Sequence, residues 1–384
     1  MRSIENLVTL YVGVILICSS CVDNSSGEQI SGNKIPVKNK YYIDIKNDDK
    51  ISFYDIFEKV ELIPLETNIG SLIGSIGKVQ YYESKYCVLD RDQNSILIFS
   101  EDGFFVNRIR KEGRGPGEYT LLYDFVVNAY TGDLELLNPR GQILVVDSLG
   151  RVINEIKLPR DLRASHFIYN ITRDTTVLYT LFEDKQVVFF DRRTGEIFNK
   201  EYHIEEFLKG TQIVSPDRSP FYSYNNTLFF FDAANSIIYK VTQDKLVCDL
   251  VFDFGEHQLN YDNWPEDRAL QYYVNTFLAS DYVYGFQNFI KNDSLIIFRC
   301  IFDRIWHTVL FKYKTGDTRI IKKFKEKTVF PGIFDFFEQG IYAIVEPKNI
   351  QLIVNEDYLD EKNKEILNSV SLEDNPVIIK YYWK

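Results

Sequence analysis

The stretch YCVLDRDQNSILIFSEDGFFVNRI, residues 86–109, contains a pattern that decides the fold. Two apolar runs, SILIFS and FFVNRI, flank the pair Asp102-Gly103. Because Asp and Gly tolerate the positive φ angles of tight turns, the pattern predicts a β-hairpin. The preceding run YCVLD adds a third strand before a polar break. The stretch therefore predicts a small antiparallel sheet.

The same unit returns four times along the chain. The copies are LELLNPRGQILVVDSLGRVINEI, TVLYTLFEDKQVVFFDRRTGEIFNKEY, TLFFFDAANSIIYKVTQDKLVCDLVF and SLIIFRCIFDRIWHTVLFKYKTGDTRIIKKF. Their turn residues, Gly103, Gly150, Gly195, Asp244 and Gly316, are 47, 45, 49 and 72 residues apart. A period of about 40 to 50 residues is typical of four-stranded propeller blades. One more apolar run, such as KVQYY, DFVVN or HFIYN, precedes each unit. This run supplies the fourth strand of the blade.

A sixth unit begins at residues 332–346 and resumes as NPVIIKYYWK at the end of the sequence. It lacks one strand, which KVELIPLE (residues 59–66) can provide. Closing the ring in this way leaves no open edge between the first and last blades. We therefore expect an all-β fold, a six-bladed β-propeller with N- and C-terminal strand closure. Small helix-bearing insertions are expected near 256–285 and 355–370.

These residues also carry a family resemblance. VLDRDQNSILIFSEDGFF resembles an NHL repeat. Together with VELIPLE, IGKV, GRGPGEY, the terminal NPVIIKYY and the N-terminal segment described next, it is similar to the six-bladed, NHL/TolB-like propeller lipoproteins of Bacteroidetes. The resemblance covers roughly residues 45–384. It implies a fold and a compartment, but no general biochemical activity.

The N-terminal segment resembles a lipoprotein signal peptide. Arg2 precedes LVTLYVGVILICSSC, an apolar run too short to span a bilayer. ICSSC resembles a lipobox with Cys21 as the lipidated residue, and Cys18 is the less suitable alternative because Ile17 precedes it. The domain prediction is a signal peptide at 1–20, a lipidated cysteine with a flexible tether at 21–45 and a propeller at 46–384. The expected location is the cell envelope, anchored to the outer membrane by lipid, with the leaflet undetermined.

The composition favours β structure and argues against a nucleic-acid partner. There are 29 Phe and 26 Tyr against 1 Met, and aromatic residues suit pleated, half-buried surfaces. The net charge is −11, whereas binding phosphates requires clustered Lys and Arg. Cys87, Cys248 and Cys300 each lie in an apolar run, which indicates buried free thiols rather than a disulfide framework.

The glycines of GRGPGEY (residues 113–119) do not form a phosphate loop. Their spacing differs from G-x-G-x-x-G, and the following residues read as a strand, whereas phosphate loops need a helix there. The segment is expected to connect two blades. Such a connection can face the mouth of the central channel, where Arg114, Glu118 and Tyr119 are candidate binding residues.

Other candidate residues are isolated. His166 begins an inner-strand run and Trp264 lies in the aromatic insertion, so both are candidate binding residues. The trio Asp90, Asp92 and Asn94 resembles part of a calcium loop but lacks a bidentate glutamate, and turn capping is the alternative. The run DRR at 191–193 reads as a solvated hairpin end.

No motif for catalysis is found in the sequence. The prediction is a non-catalytic binding module, monomeric, whose ligand is a glycan, a peptide or an envelope protein. The alternative is a propeller hydrolase or lyase with a metal, calcium or zinc, at the channel mouth. No cofactor is predicted, and whether the protein is an enzyme stays open. An enzyme would be expected to bring several ionisable side chains from different blades together at one channel mouth.

Overall fold

The computed structural model describes residues 29–30, 33–34, 39–47, 50–139, 141–160, 162, 165–181, 183–204, 219–233, 235–259, 281–332 and 334–384. The chain divides into two compact units, Met1–Pro36 and Val37–Lys384. In the first unit, β1 (Gln29–Ile30) and β2 (Asn33–Lys34) pair in an antiparallel hairpin.

The second unit contains six antiparallel sheets arranged as the blades of a propeller, so the predicted fold class is confirmed. Blade 1 has β5 (Ile76–Tyr82), β6 (Lys85–Asp90), β7 (Ser95–Ser100) and β8 (Phe105–Ile109). Blade 2 has β9 (Asp124–Val127), β10 (Leu134–Asn138), β11 (Gln142–Val146) and β12 (Val152–Lys157). Blade 3 has β13 (Ser165–Asn170), β14 (Thr175–Thr180), β15 (Val187–Asp191) and β16 (Glu196–Glu201).

The other three blades follow the same order from the inner to the outer strand. Blade 4 has β17 (Phe221–Tyr224), β18 (Thr227–Phe231), β19 (Ile237–Val241) and β20 (Leu246–Asp253). Blade 5 has β21 (Tyr284–Lys291), β22 (Leu295–Phe302), β23 (Ile305–Lys312) and β24 (Asp317–Ile321). Blade 6 has β25 (Phe334–Phe337), β26 (Gly340–Val345), β27 (Val377–Trp383) and β4 (Phe57–Pro64).

The ring closes as the sequence predicts. Strand β4 is the outer strand of blade 6 and pairs antiparallel with β27, from Val377 opposite Pro64 to Trp383 opposite Phe57. The Leu65 N–H continues the contact by donating to the Pro376 carbonyl at 3.1 Å. The two ends of the propeller are therefore joined through backbone hydrogen bonds.

One strand was not predicted. Residues Lys40–Tyr42 form β3, which pairs in parallel with β20 and gives blade 4 a fifth strand. Ile43 and Ile45, which follow it, are buried in the core between blades 4 and 5. Residues 39–45 fall within the predicted tether, yet they pack on blade 4 because alternate apolar residues point to the same side.

The core lies between neighbouring blades. On β7, Ile96 and Ile98 contact the cluster shared with blade 2, whereas Leu97 contacts the cluster shared with blade 6. Successive side chains of a strand point to opposite faces of its sheet, so a blade covered on both sides needs apolar residues at every position. This explains why the strands appear in the sequence as continuous apolar runs.

Helical segments lie between β26 and β27. They comprise α1 (Ile350–Ile353) and α2 (Glu361–Ser369), and Asp360 caps α2 through the Asn363 N–H at 2.9 Å. The Asn363 side chain accepts the Leu62 N–H at 2.7 Å, so α2 covers the outer edge of blade 6. The other predicted insertion, 256–285, falls mostly outside the described residues. Within the described part of the chain, no helix has the length and apolar character required to cross a bilayer.

Candidate functional site

The inner strands of the blades line the central channel, and three of them bring polar side chains together. Asp335 on β25 lies beside the Tyr222 hydroxyl on β17, which helps to stabilise the ionised form of its carboxyl group. Asp335 accepts the Phe336 N–H at 2.7 Å. Tyr169 on β13 contacts the Ser223 hydroxyl of β17. We call Tyr169, Tyr222, Ser223 and Asp335 the channel cluster, and it joins blades 3, 4 and 6.

Burial controls the protonation of the channel cluster. It raises the pKa of Asp335 to about 6, and the Phe336 N–H and the Tyr222 hydroxyl only partly oppose this effect. Solvent still reaches part of this side chain, although protein atoms surround it closely. Burial also raises the pKa of Tyr169 and Tyr222, so both hydroxyls stay protonated at neutral pH. Above pH 6 the cluster is one carboxylate surrounded by neutral hydroxyl groups.

A second carboxylate near the channel is occupied by structural bonds. Asp124 on β9 is buried and accepts from Lys78 Nζ of β5 at 3.0 Å. Its other oxygen accepts the Ile168 N–H of β13 at 3.0 Å. Burial raises the pKa of Asp124, while Lys78 lowers it. Asp124 therefore connects the inner strands of blades 1, 2 and 3.

A buried ion pair connects blades 2 and 3. Both terminal nitrogens of Arg192 donate to the Glu135 carboxylate, each at 2.7 Å. Arg192 Nη1 also donates to the Asn170 side chain at 2.8 Å. Glu135 is fully buried and Arg192 is 12% exposed. The prediction of a solvated hairpin end at 191–193 was therefore wrong for Arg192, because the neighbouring blade supplies its partner.

GRGPGEY connects β8 to β9, as predicted, and folds upon itself. Glu118 accepts the Gly115 N–H at 2.7 Å, and a Cβ at Gly113 would overlap the Glu118 carboxylate. Tyr119 is 1% exposed, and its hydroxyl donates to the Asn94 carbonyl at 2.6 Å. Its ring is a core element and offers no face to a ligand, whereas Arg114 is exposed. The prediction of Tyr119 as a binding residue is therefore wrong. The sequence could not show which side of the loop is covered by the rest of the protein.

Within the trio of blade 1, Asp90 caps the turn between β6 and β7. Asp90 is buried and accepts the N–H groups of Gly74 at 2.8 Å and Gln93 at 3.2 Å. Asn94 instead accepts the Leu122 N–H at 3.2 Å, from the segment that precedes blade 2. The capping alternative is therefore confirmed for Asp90.

Two predicted site residues are not placed. Trp264 lies outside the described residues, and so does the side chain of His166, although residue 166 belongs to β13. Two other histidines make local contacts through their Nδ1 atoms, His203 with the Asp184 carbonyl and His257 with the Asp281 carbonyl. Across the described segments, no three His, Cys, Asp or Glu side chains are grouped as metal ligands would be. Cys87, Cys248 and Cys300 are free thiols.

A shallow pocket of roughly 200 Å³ lies between blades 6 and 1. Its walls include Ile73, Pro347 and Leu372 together with Glu346 and Lys348. Glu346 and Lys348 form an ion pair at 2.6 Å, so the charges of this wall balance each other.

Sequence reasoning missed Asp335 and Tyr222. The available signal was a single acid inside the apolar run IFDFF of an inner strand. A charged residue in a run that must be covered on both faces requires a partner. The identity of that partner, two blades away, depends on the closed ring.

A family model described as "Domain of unknown function (DUF4934)" matches residues 33–382, and the chain belongs to this family of propeller proteins. No curated protein matches the chain. A "Putative exported protein" from Bacteroides fragilis NCTC 9343 superimposes with a TM-score of 0.74 at 18% identity, covering 90% of this chain and 99% of that one. A member of the DUF4221 family from Bacteroides vulgatus ATCC 8482 has a TM-score of 0.54 at 11% identity, covering 85% and 99%. At these identities the likeness shows the fold alone.

Proposed function

We propose that this protein is an exported, lipid-anchored propeller of the cell envelope and a non-catalytic binding module for a glycan, a peptide or an envelope protein. The lipobox-like ICSSC and the similarity to Bacteroidetes propeller lipoproteins support the compartment. The similar fold of the Bacteroides fragilis protein, whose name describes it as exported, is consistent with it.

The channel cluster is the observation that carries the binding role. Tyr222 and Asp335 come from blades two positions apart and lie beside each other. Both residues are partly accessible, so the cluster offers a carboxylate acceptor and hydroxyl groups to a ligand in the channel. A few fixed polar groups among aromatic surfaces are typical of sites that orient a polar ligand.

The protonation states of the two channel tyrosines favour recognition over proton transfer, whereas Asp335, with a pKa of about 6, is the one group of the cluster that exchanges a proton near neutral pH. General acid–base catalysis needs groups whose pKa values suit donation and removal of a proton near the working pH. In the channel cluster the tyrosines have raised pKa values and act as neutral hydrogen-bonding groups. Asp124 and Glu135, the other buried acids of this region, are paired with Lys78 and Arg192.

The binding role is tested by capture from glycan arrays and from solubilised envelope fractions. The wild-type chain is compared with Tyr222→Phe and Asp335→Asn. The control is Tyr313→Phe, which removes a hydroxyl that donates to the Asn292 carbonyl at 2.9 Å away from the channel. Retention of a ligand by the wild type and the control but not by the channel variants supports the proposal. Equal retention by all four proteins, or none by the wild type, contradicts it.

The anchor is tested by metabolic labelling with a fatty acid in a host that processes lipoproteins. We expect Cys21→Ala to abolish the label and Cys18→Ala to retain it, because lipidation requires the thiol at the cleavage site. Both residues lie outside the described part of the chain. Labelling that survives Cys21→Ala refutes the assignment.

A further inference from the structure

Blade 5 contains an arginine inside an apolar strand. Arg299 interrupts the run LIIFRCIF of β22 and is partly buried. By strand alternation it shares its side of the sheet with Ile297, which packs in the core between blades 5 and 6. Its guanidinium lies over the Trp306 indole of β23, 4.7 Å from the ring centroid. The guanidinium also lies next to Gly332, just before β25.

The Arg299 guanidinium has no counter-ion in the described part of the chain. Among the residues that the structure describes, no carboxylate forms an ion pair with Arg299 and no acceptor takes a hydrogen bond from it, and its Nε is buried without a partner. Burial lowers the pKa of Arg299 to about 10. Arg192, by contrast, is similarly enclosed but has the Glu135 carboxylate as its partner. A partly buried charge without a partner is costly, and binding an anion would compensate this charge.

The surroundings of Arg299 supply further polar groups. Gln287 lies directly opposite Arg299 in the β21–β22 ladder. The register shifts on both sides of Gln287, and the next residue, Asn288, has a φ of 53°. This bulge directs the Asn288 amide to the Gly332 carbonyl, where it donates a hydrogen bond. Trp306 is 37% exposed, so part of its ring reaches the surface.

We infer that one site in blade 5 binds the carboxylate of an acidic sugar residue, an inference that rests on the proposed binding function. This site, called the Arg299 site, comprises Gln287, Asn288, Arg299, Trp306 and Gly332. The planar guanidinium fork matches two carboxylate oxygens, and Trp306 fixes its plane. One positive charge balances one carboxylate. The exposed indole suits the apolar face of a pyranose ring, and the side-chain amides suit its hydroxyl groups.

The test is saturation-transfer NMR on the full-length chain in detergent, with methyl β-D-glucuronide as the probe. Methyl β-D-glucopyranoside is its neutral counterpart. We expect the glucuronide to bind saturably, the glucoside to bind at least about tenfold more weakly, and Arg299→Gln to lose the difference. Arg193→Gln, which removes a guanidinium that is 74% exposed elsewhere on the propeller, should bind like the wild type. Arg299→Lys keeps the charge without the fork and should bind with intermediate strength.

The outcomes separate this inference from the proposed function. Equal binding of glucuronide and glucoside, or unchanged glucuronide binding by Arg299→Gln, overturns the carboxylate site while ligand capture by the channel cluster still stands. N-acetyl-dialanine serves as a third probe. Arg299-dependent binding of this peptide acid without glucuronide binding overturns the sugar assignment and indicates a peptide terminus. Thermal melting of each variant verifies that its fold is intact.

Discussion

Replacing Arg192 by methionine removes the cation of a buried ion pair and leaves its carboxylate behind. Methionine keeps much of the side-chain volume, so the change is mainly electrostatic. Glu135 loses two hydrogen bonds of 2.7 Å and keeps the one from the Asn128 side chain, also 2.7 Å. Because Glu135 is fully buried, water cannot replace the lost partner. We expect the free energy of unfolding to fall by about 3–5 kcal/mol.

Two comparisons identify the cause of that loss. The double variant Arg192→Met, Glu135→Gln removes both charges and should recover most of the stability, because no ion is left unpaired. Arg299→Met removes a cation that has no counter-ion among the described residues, so it should leave stability unchanged or raise it.

Denaturant unfolding measures these differences. The chain has three tryptophans, and their fluorescence reports unfolding in guanidinium chloride. The midpoint multiplied by the slope m gives the free energy of unfolding for each variant. If Arg192→Met and Arg299→Met lose equal stability, or the double variant is no better than Arg192→Met, the reasoning about charge compensation is refuted.

Three further predictions concern the channel, a strand and the ring closure. The folded pKa of Asp335, about 6, lies above its ordinary value of 3.8, so its ionisation destabilises the fold as pH rises. Asp335→Asn should therefore gain about 2 kcal/mol of stability over the wild type between pH 4 and pH 7, and pH-dependent denaturation that shows no such gain contradicts the assignment. A Cβ at Gly340 would overlap the Tyr381 carbonyl, so Gly340→Ala should have a melting temperature far below that of Gly195→Ala. A Cβ at Gly195 meets no atom within 4 Å, and its only cost is the positive φ of 77°. Equal melting temperatures would argue against the clash at Gly340. A chain starting at residue 65 lacks β4 and should lose cooperative thermal unfolding. A chain starting at residue 39 keeps β4 and should unfold cooperatively. Cooperative unfolding of both truncated chains would show that the strand closure is dispensable.

The repeat was readable from the sequence because blades are built from local contacts. Hairpin turns carry their own signals, such as Asp102-Gly103, and four of the five turns noted in the sequence have a glycine with positive φ. The missing strand of the sixth unit pointed to residues 59–66, and β4 fills that place. The strand β3 carried no comparable signal, because three residues in a polar segment have too little pattern to identify.

The site residues were predicted less well because their roles depend on neighbours that are distant in sequence. Tyr119 looked like an exposed loop aromatic, but blades 1 and 2 cover it. Arg192 looked solvated, but Glu135 of the preceding blade holds it. Asp335 and Arg299 were visible as charges in apolar runs, yet only the folded chain shows that one has a tyrosine partner and the other has no counter-ion in the described residues.

The sequence by itself determined the number of blades, their order and the strand that joins the two ends, since turn chemistry and apolar runs are encoded over a few consecutive residues. The tertiary structure alone decided which polar groups meet in the channel and between blades. A blade brings only its own strands together. Tyr222 and Asp335, 113 residues apart in the chain, meet because the propeller brings the inner strands of blades 4 and 6 to the same channel.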